Sequence, residues 1–172
     1  MNIIIPLIDK YEIDKEILFN FIDNLNLKEN KCKIFIIYNK IFDNKYSNIN
    51  LIKLDNSIKN ITESVYFGLL EIINNYKFYN KTLLISYNKM YNNDIITQFI
   101  EFNNNCVFYT KNNNNVSYCS YFDLDKNNDI DQNIIAYGFN NINNLYYYLK
   151  LKVENKMDVI LFNQINIDID LY

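Results

Sequence analysis

The sequence predicts an α/β domain in which helices cover both faces of a mostly parallel sheet. Three observations lead there. Apolar runs such as Asn2–Ile8, Lys33–Tyr38 and Lys81–Ser86 lack polar alternation, the pattern of strands buried on both faces. Between them, apolar residues recur at the spacing of amphipathic helices. The two patterns alternate along the chain, and crossovers between parallel strands are right-handed by default, so the first half builds a doubly wound, three-layer sheet.

The elements follow in order. Asn2–Ile8 is the first strand. Ile13, Ile17, Leu18, Phe21, Ile22 and Leu25 then repeat at helical spacing, with Asp14 and Glu16 favouring the helix N-terminus. Lys33–Tyr38 is the second strand and Asn48–Leu54 a short alternating one. Asn60 and Glu63 have the spacing of a capping box, opening a helix that buries Val65, Leu69, Ile72, Ile73 and Tyr76 and carries Gly68, which either allows close packing on the sheet or is incidental. Thr82–Ile85 lies in the next strand, and Asp94 caps a short helix with Ile95, Ile96, Phe99 and Ile100. Cys106–Thr110 and Val116–Phe122 flank four Asn residues and predict a β-hairpin, because Asn tolerates the left-handed turn conformation. Asn133–Phe139 is a strand, Asn144–Val153 a helix and Met157–Phe162 a last strand. No repeat or linker interrupts this order, and residues 1–172 read as one domain.

Composition sets bounds. The chain is 172 residues long, enough to bury a core without staples, with a net charge of −3. Its basic residues are all Lys and are scattered, which argues against a nucleic-acid groove. No apolar run approaches the roughly 18 residues of a membrane span. The apolar start is too short for a signal peptide and has no basic residue before it, so a cytoplasmic protein is expected. With no His, a Ser-His or Cys-His triad and a His-ligated metal are excluded. Cys32, Cys106 and Cys119 form no CxxC pair and read as buried reduced thiols. Asn, Ile, Lys, Tyr and Phe dominate while Gly numbers two and Pro one, the signature of an AT-rich genome. The Asn runs at 103–105 and 112–115 therefore read as loop filler.

Two acidic motifs carry little weight. Phe122–Asp131 has oxygen ligands at calcium-loop spacing, but Asn128 replaces the Gly and Ile134 the bidentate Glu, which favours a polar turn. Asp123-Leu124-Asp125 matches the DxD of metal-dependent glycosyltransferases, but not at the end of a central strand, where Ser86–Lys89 stands. Asp168-Ile169-Asp170 is similarly short.

Taken together, the chain resembles the sugar-nucleotide nucleotidyltransferases, enzymes with a glycosyltransferase-A-like Rossmann sheet. Ile3-Ile4-Ile5-Pro6-Leu7-Ile8-Asp9-Lys10 is similar to their opening strand and Pro-Leu step. Thr62-Glu63-Ser64 resembles the helix start that faces the base or sugar pocket. Leu83-Leu84-Ile85-Ser86-Tyr87-Asn88 resembles the strand leading to the metal-binding position, and Asn133–Phe139 the strand that presents the sugar site. The resemblance implies a substrate-binding set of Leu7, Asp9, Thr62, Glu63, Ser64, Ser86 and Asn88, with a nucleotide or sugar nucleotide as partner, while composition leaves neither nucleic acid nor membrane expected.

The departures are chemical. The glycine-rich phosphate loop is replaced around Asp9 and Tyr11, its Arg is missing, and Asn88 occupies the slot of the metal-binding Asp. A triphosphate needs backbone N–H donors and a cation to offset its charge, so both supports of transfer are weakened. No metal ligand set is assigned, and Mg2+ or Mn2+ enters only if the enzyme is active. The expectation is thus a degenerate nucleotidyltransferase-like domain that binds its ligand without efficient catalysis. The alternatives are an active nucleotidyl- or glycosyltransferase with rearranged ligands and a non-catalytic protein-interaction module.

Overall fold

The computed structural model describes residues 1–7, 14–28, 32–39, 45–58, 61–76, 81–86, 95–102, 104–110, 116–120 and 134–153. Among them the elements are β1 (Asn2–Leu7), α1 (Lys15–Lys28), β2 (Lys33–Tyr38), β3 (Ile49–Lys53), α2 (Ile61–Tyr76), β4 (Thr82–Ile85), α3 (Ile95–Glu101), β5 (Cys106–Thr110), β6 (Val116–Ser120), β7 (Ile134–Phe139) and α4 (Ile142–Val153). The predicted capping residues Asn60 and Asp94, the acidic turn at 121–131 and the tail strand at 157–162 lie outside the described residues.

The strands form one sheet in the order β3-β2-β1-β4-β7-β5-β6. It is mixed. β1 pairs in parallel with β2 and β4, and β2 with β3, whereas β4–β7, β7–β5 and β5–β6 are antiparallel. The mostly parallel sheet expected from sequence is therefore corrected to one parallel half and one antiparallel half. The cause is β7, which returns from beyond the β5–β6 hairpin and inserts between β4 and β5, pairing Thr82 with Phe139 and Cys106 with Gly138.

Alternate strand residues feed two cores. Ile3, Ile5, Leu83 and Ile85 face one side and pack with Leu18 and Ile22 of α1 and with Ile96 and Phe99 of α3. Ile4, Phe35, Ile37 and Leu84 face the other side and pack with Val65 and Leu69 of α2 and with Leu145 and Leu149 of α4. Such two-sided burial is why β1 and β4 read as continuous apolar runs. Cys106 is buried as expected, but Cys32 is only half-buried because it precedes β2 rather than lying within it.

The placement of the helices follows from lateral direction. β1 to β2 steps one way across the sheet with α1 on one side. β3 to β4 steps back past β1 with α2 on the other side, as two crossovers of the same hand require. β4 to β5 continues in that second direction, yet α3 shares the α1 side. This connection is of the opposite hand, because the α2 side over β4, β7 and β5 is filled by α4.

Helix ends are tied locally. Asp14 caps α1, its Oδ1 accepting from the amides of Glu16 at 3.0 Å and Ile17 at 3.1 Å. Lys81, entering β4, closes α3 from a distance, its Nζ donating to the carbonyls of Ile100 at 2.9 Å and Phe102 at 2.8 Å. A cation serves here because the last carbonyls of a helix are unpaired and its C-terminus carries partial negative charge. Lys81→Met keeps the stem and removes these bonds. It should cost about 1.5 kcal/mol, and amide hydrogen exchange should accelerate first at the end of α3. Unchanged exchange there would show that the helix end does not depend on the ammonium.

Candidate active site

The strand order reverses at β1. The chain leaves it toward β2 and β3 and returns to β4 on its other flank, with α1 and α2 on opposite sides of the sheet. Helices that diverge in this way leave a crevice outside the carboxyl ends of the two neighbouring strands, where ligands of open α/β sheets bind. The carboxyl ends of the parallel strands here are Leu7, Tyr38, Lys53 and Ile85. Because α2 follows β3, its N-terminus opens at the same edge.

This edge is built by short polar contacts. The amide of Leu54 donates to the Tyr38 carbonyl at 2.8 Å, holding the end of β3 against β2. Asp55 folds the turn that follows, its Oδ1 accepting from the Ser57 amide at 2.8 Å while its carbonyl accepts from the Ile58 amide at 3.2 Å. Hydrogen bonds from the Ser57 hydroxyl and amide hold the Asp55 carboxyl below its ordinary pKa. Asn39, just past β2, donates from Nδ2 to the Ile58 carbonyl at 2.9 Å. That bond ties β2 to the segment that enters α2. Across the crevice, the Ser86 amide donates to the Ile135 carbonyl at 3.3 Å, joining the end of β4 to the start of β7.

α2 lies close on the sheet because Gly68 has no side chain. A Cβ there would stand 2.4 Å from Ile37 Cδ1 and 2.7 Å from Ile37 Cγ1. This bears out close packing as the role of Gly68. One helical turn toward the N-terminus, about 5 Å along the axis, comes Ser64. Ser64 is 0% exposed and Asn39 4%. The Ser64 Oγ and the Asn39 Oδ1 both lack a hydrogen-bond partner among the described residues. Two buried, unsatisfied oxygens on elements that meet at this edge are unusual, since such groups are nearly always paired.

The residues expected at the site fall into three groups. Ser64, Thr62 and Glu63 sit together in the first turn of α2, buried, half-buried and exposed in that order, and Ser86 is buried at the end of β4. Leu7 stands at the edge too, but its side chain belongs to the core with α1 and α3. Asp9 and Asn88 lie outside the described residues, as do Asp123 and Asp125. Asn39 is an addition to the expected set. In a chain so rich in Asn, no local pattern marks this one, and only its burial and its bond to Ile58 distinguish it.

The buried donors and acceptors at this edge, Asn39, Ser64 and Ser86, are neutral. A Mg2+ site is usually built on carboxylates, and among the described residues no three His, Cys, Asp or Glu side chains converge. These residues do not fit a divalent cation by themselves. Also among the described residues, no helix is long and apolar enough to cross a membrane.

Comparison with protein-family models, with curated proteins and with solved structures finds no match.

Proposed function

We propose that this chain is a degenerate nucleotidyltransferase-like domain, with a three-layer, Rossmann-like parallel half, that binds a nucleotide or sugar nucleotide without efficient transfer. The observation that carries the reading is the strand reversal at β1 with the α2 N-terminus opening at the same edge, the position at which open α/β sheets take ligands. Thr62, Glu63 and Ser64 supply the first turn of α2, and Ser86 and the Leu7 backbone form the crevice floor. The glycines and the Arg of a phosphate loop are replaced around Asp9, and Asn88 offers a metal only a neutral carbonyl.

Thermal-shift measurement with nucleoside triphosphates and sugar nucleotides, with and without Mg2+ or Mn2+, tests this. A metal-independent rise is expected, about 2.7 kcal/mol of stabilisation at a ligand concentration of 100 Kd. A rise that requires metal would favour an active transferase with rearranged ligands. No response from folded protein would leave an interaction module, for which exposed Phe67 and Tyr147, near the Tyr66–Tyr146 stack on α2 and α4, offer apolar surface.

A further inference from the structure

We infer that Asn39, together with Ser64, reads a neutral hydrogen-bonding group of the ligand, a base edge or a sugar hydroxyl, rather than its phosphates. The inference rests on the nucleotide-binding reading and adds to it a residue that contacts the ligand and the chemistry that residue selects.

The orientation of the Asn39 amide is set by its neighbour. The Ile58 carbonyl can only accept, so the atom 2.9 Å from it must be Nδ2. The Oδ1 is thereby turned away from Ile58, buried and unsatisfied among the described residues. It can only accept, and so it calls for a donor. A phosphate oxygen at neutral pH also accepts, and the two would repel. Ser64 adds a hydroxyl, which donates and accepts, one helical turn before Gly68 and fully buried. An acceptor and a hydroxyl on elements of one edge suit a ligand that presents both donors and acceptors. The hydrogen-bonding edges of the bases do this, and so do sugar hydroxyls.

Sites of this kind discriminate well. A ligand that supplies the missing bonds relieves two buried polar atoms, and one that cannot leaves them unpaired. The phosphates then belong elsewhere in the crevice, toward the backbone amides of the α2 start.

The test is calorimetric binding to wild-type protein and to Ser64→Ala, using the four ribonucleosides, their triphosphates, glucose 1-phosphate and inorganic triphosphate. Ser64→Ala should weaken the nucleoside that binds, and its triphosphate, by the same factor of about five to ten, and leave inorganic triphosphate unchanged. If glucose 1-phosphate shows the loss and nucleosides do not, the group read is the sugar. Unliganded Ser64→Ala should be no less stable than wild type, because the hydroxyl it removes has no partner among the described residues. Asn39→Leu should lose affinity for the same probes as Ser64→Ala, and should it fail to fold, Ser64→Ala decides alone.

Unchanged affinity of Ser64→Ala for every probe overturns the assignment while leaving nucleotide binding in place. A loss confined to inorganic triphosphate and the nucleoside triphosphates assigns the pair to phosphate and overturns it as well. A less stable unliganded Ser64→Ala with unaltered affinity would show an internal water serving these groups, and it too would overturn the assignment. Wild-type protein that binds none of the probes overturns both this inference and the function on which it rests.

Discussion

Gly138→Ala is expected to lower stability by about 2–3 kcal/mol, the upper range of overpacking costs, and the melting temperature by roughly 5–10 °C. Gly138 pairs with Leu83 on one side and Cys106 on the other, in the middle of the antiparallel half. A Cβ there would meet Phe99 Cε2 at 2.4 Å, Phe99 Cδ2 at 2.6 Å and Cys106 Sγ at 2.9 Å. None of these can retreat easily. Phe99 is fully buried and already packed edge-on against Phe108, with ring centroids 6.2 Å apart. Moving its ring lifts α3, whose end is held by Lys81. Ala136, two residues earlier on the same face, tolerates its methyl. Ala136→Gly is therefore the control, and should cost less. Urea denaturation of both variants decides the point, and a Gly138→Ala protein within about 0.5 kcal/mol of wild type would mean that the α3 contact is soft.

The same region shows what the sequence makes legible and what it hides. Continuous apolar runs identify β1, β2 and β4 because each is buried on both faces, and the boundaries of β2 come out residue for residue. The hairpin is legible because β5 and β6 are neighbours in the chain and meet across a short Asn-rich connection. The partner of β7 is not local. Nothing in Ile134–Phe139 states that it will enter between β4 and β5, since the pairing of Ile85 with Ala136 spans a long stretch of chain. That one insertion converts the expected parallel sheet into a mixed one and sends α3 to the α1 side. At the candidate site, Thr62, Glu63 and Ser64 are legible because they begin a helix with a recognisable pattern. Asn39 is hidden because its role depends on a carbonyl nineteen residues later. The resemblance points to Leu7, but cannot tell that its side chain faces the core.

The packing of α2 offers the second large effect, with a direct bearing on the crevice. Gly68→Val is expected to cost about 3 kcal/mol, since overpacking by more than one methyl is compounded by a β-branched residue within the helix. The added atoms would press on Ile37, which is fully buried and hydrogen-bonded within the parallel ladder to β1 and β3. The helix is the element free to move, and its first turn carries Thr62, Glu63 and Ser64. The nucleotide-induced thermal shift that the proposed function expects should therefore shrink by more than the loss of stability explains. A companion change separates this account from general damage. Ile37→Ala alone removes buried atoms and should cost about 2–5 kcal/mol, but it also opens the space that the new side chain needs. Combined with Gly68→Val, the pair should be less destabilised than the sum of the single changes by at least about 1 kcal/mol, and the ligand response should partly return. Strict additivity in denaturant titrations would place the strain somewhere other than Ile37. Recovery of stability without recovery of the ligand response would separate the seating of α2 from the binding edge that its first turn is proposed to form.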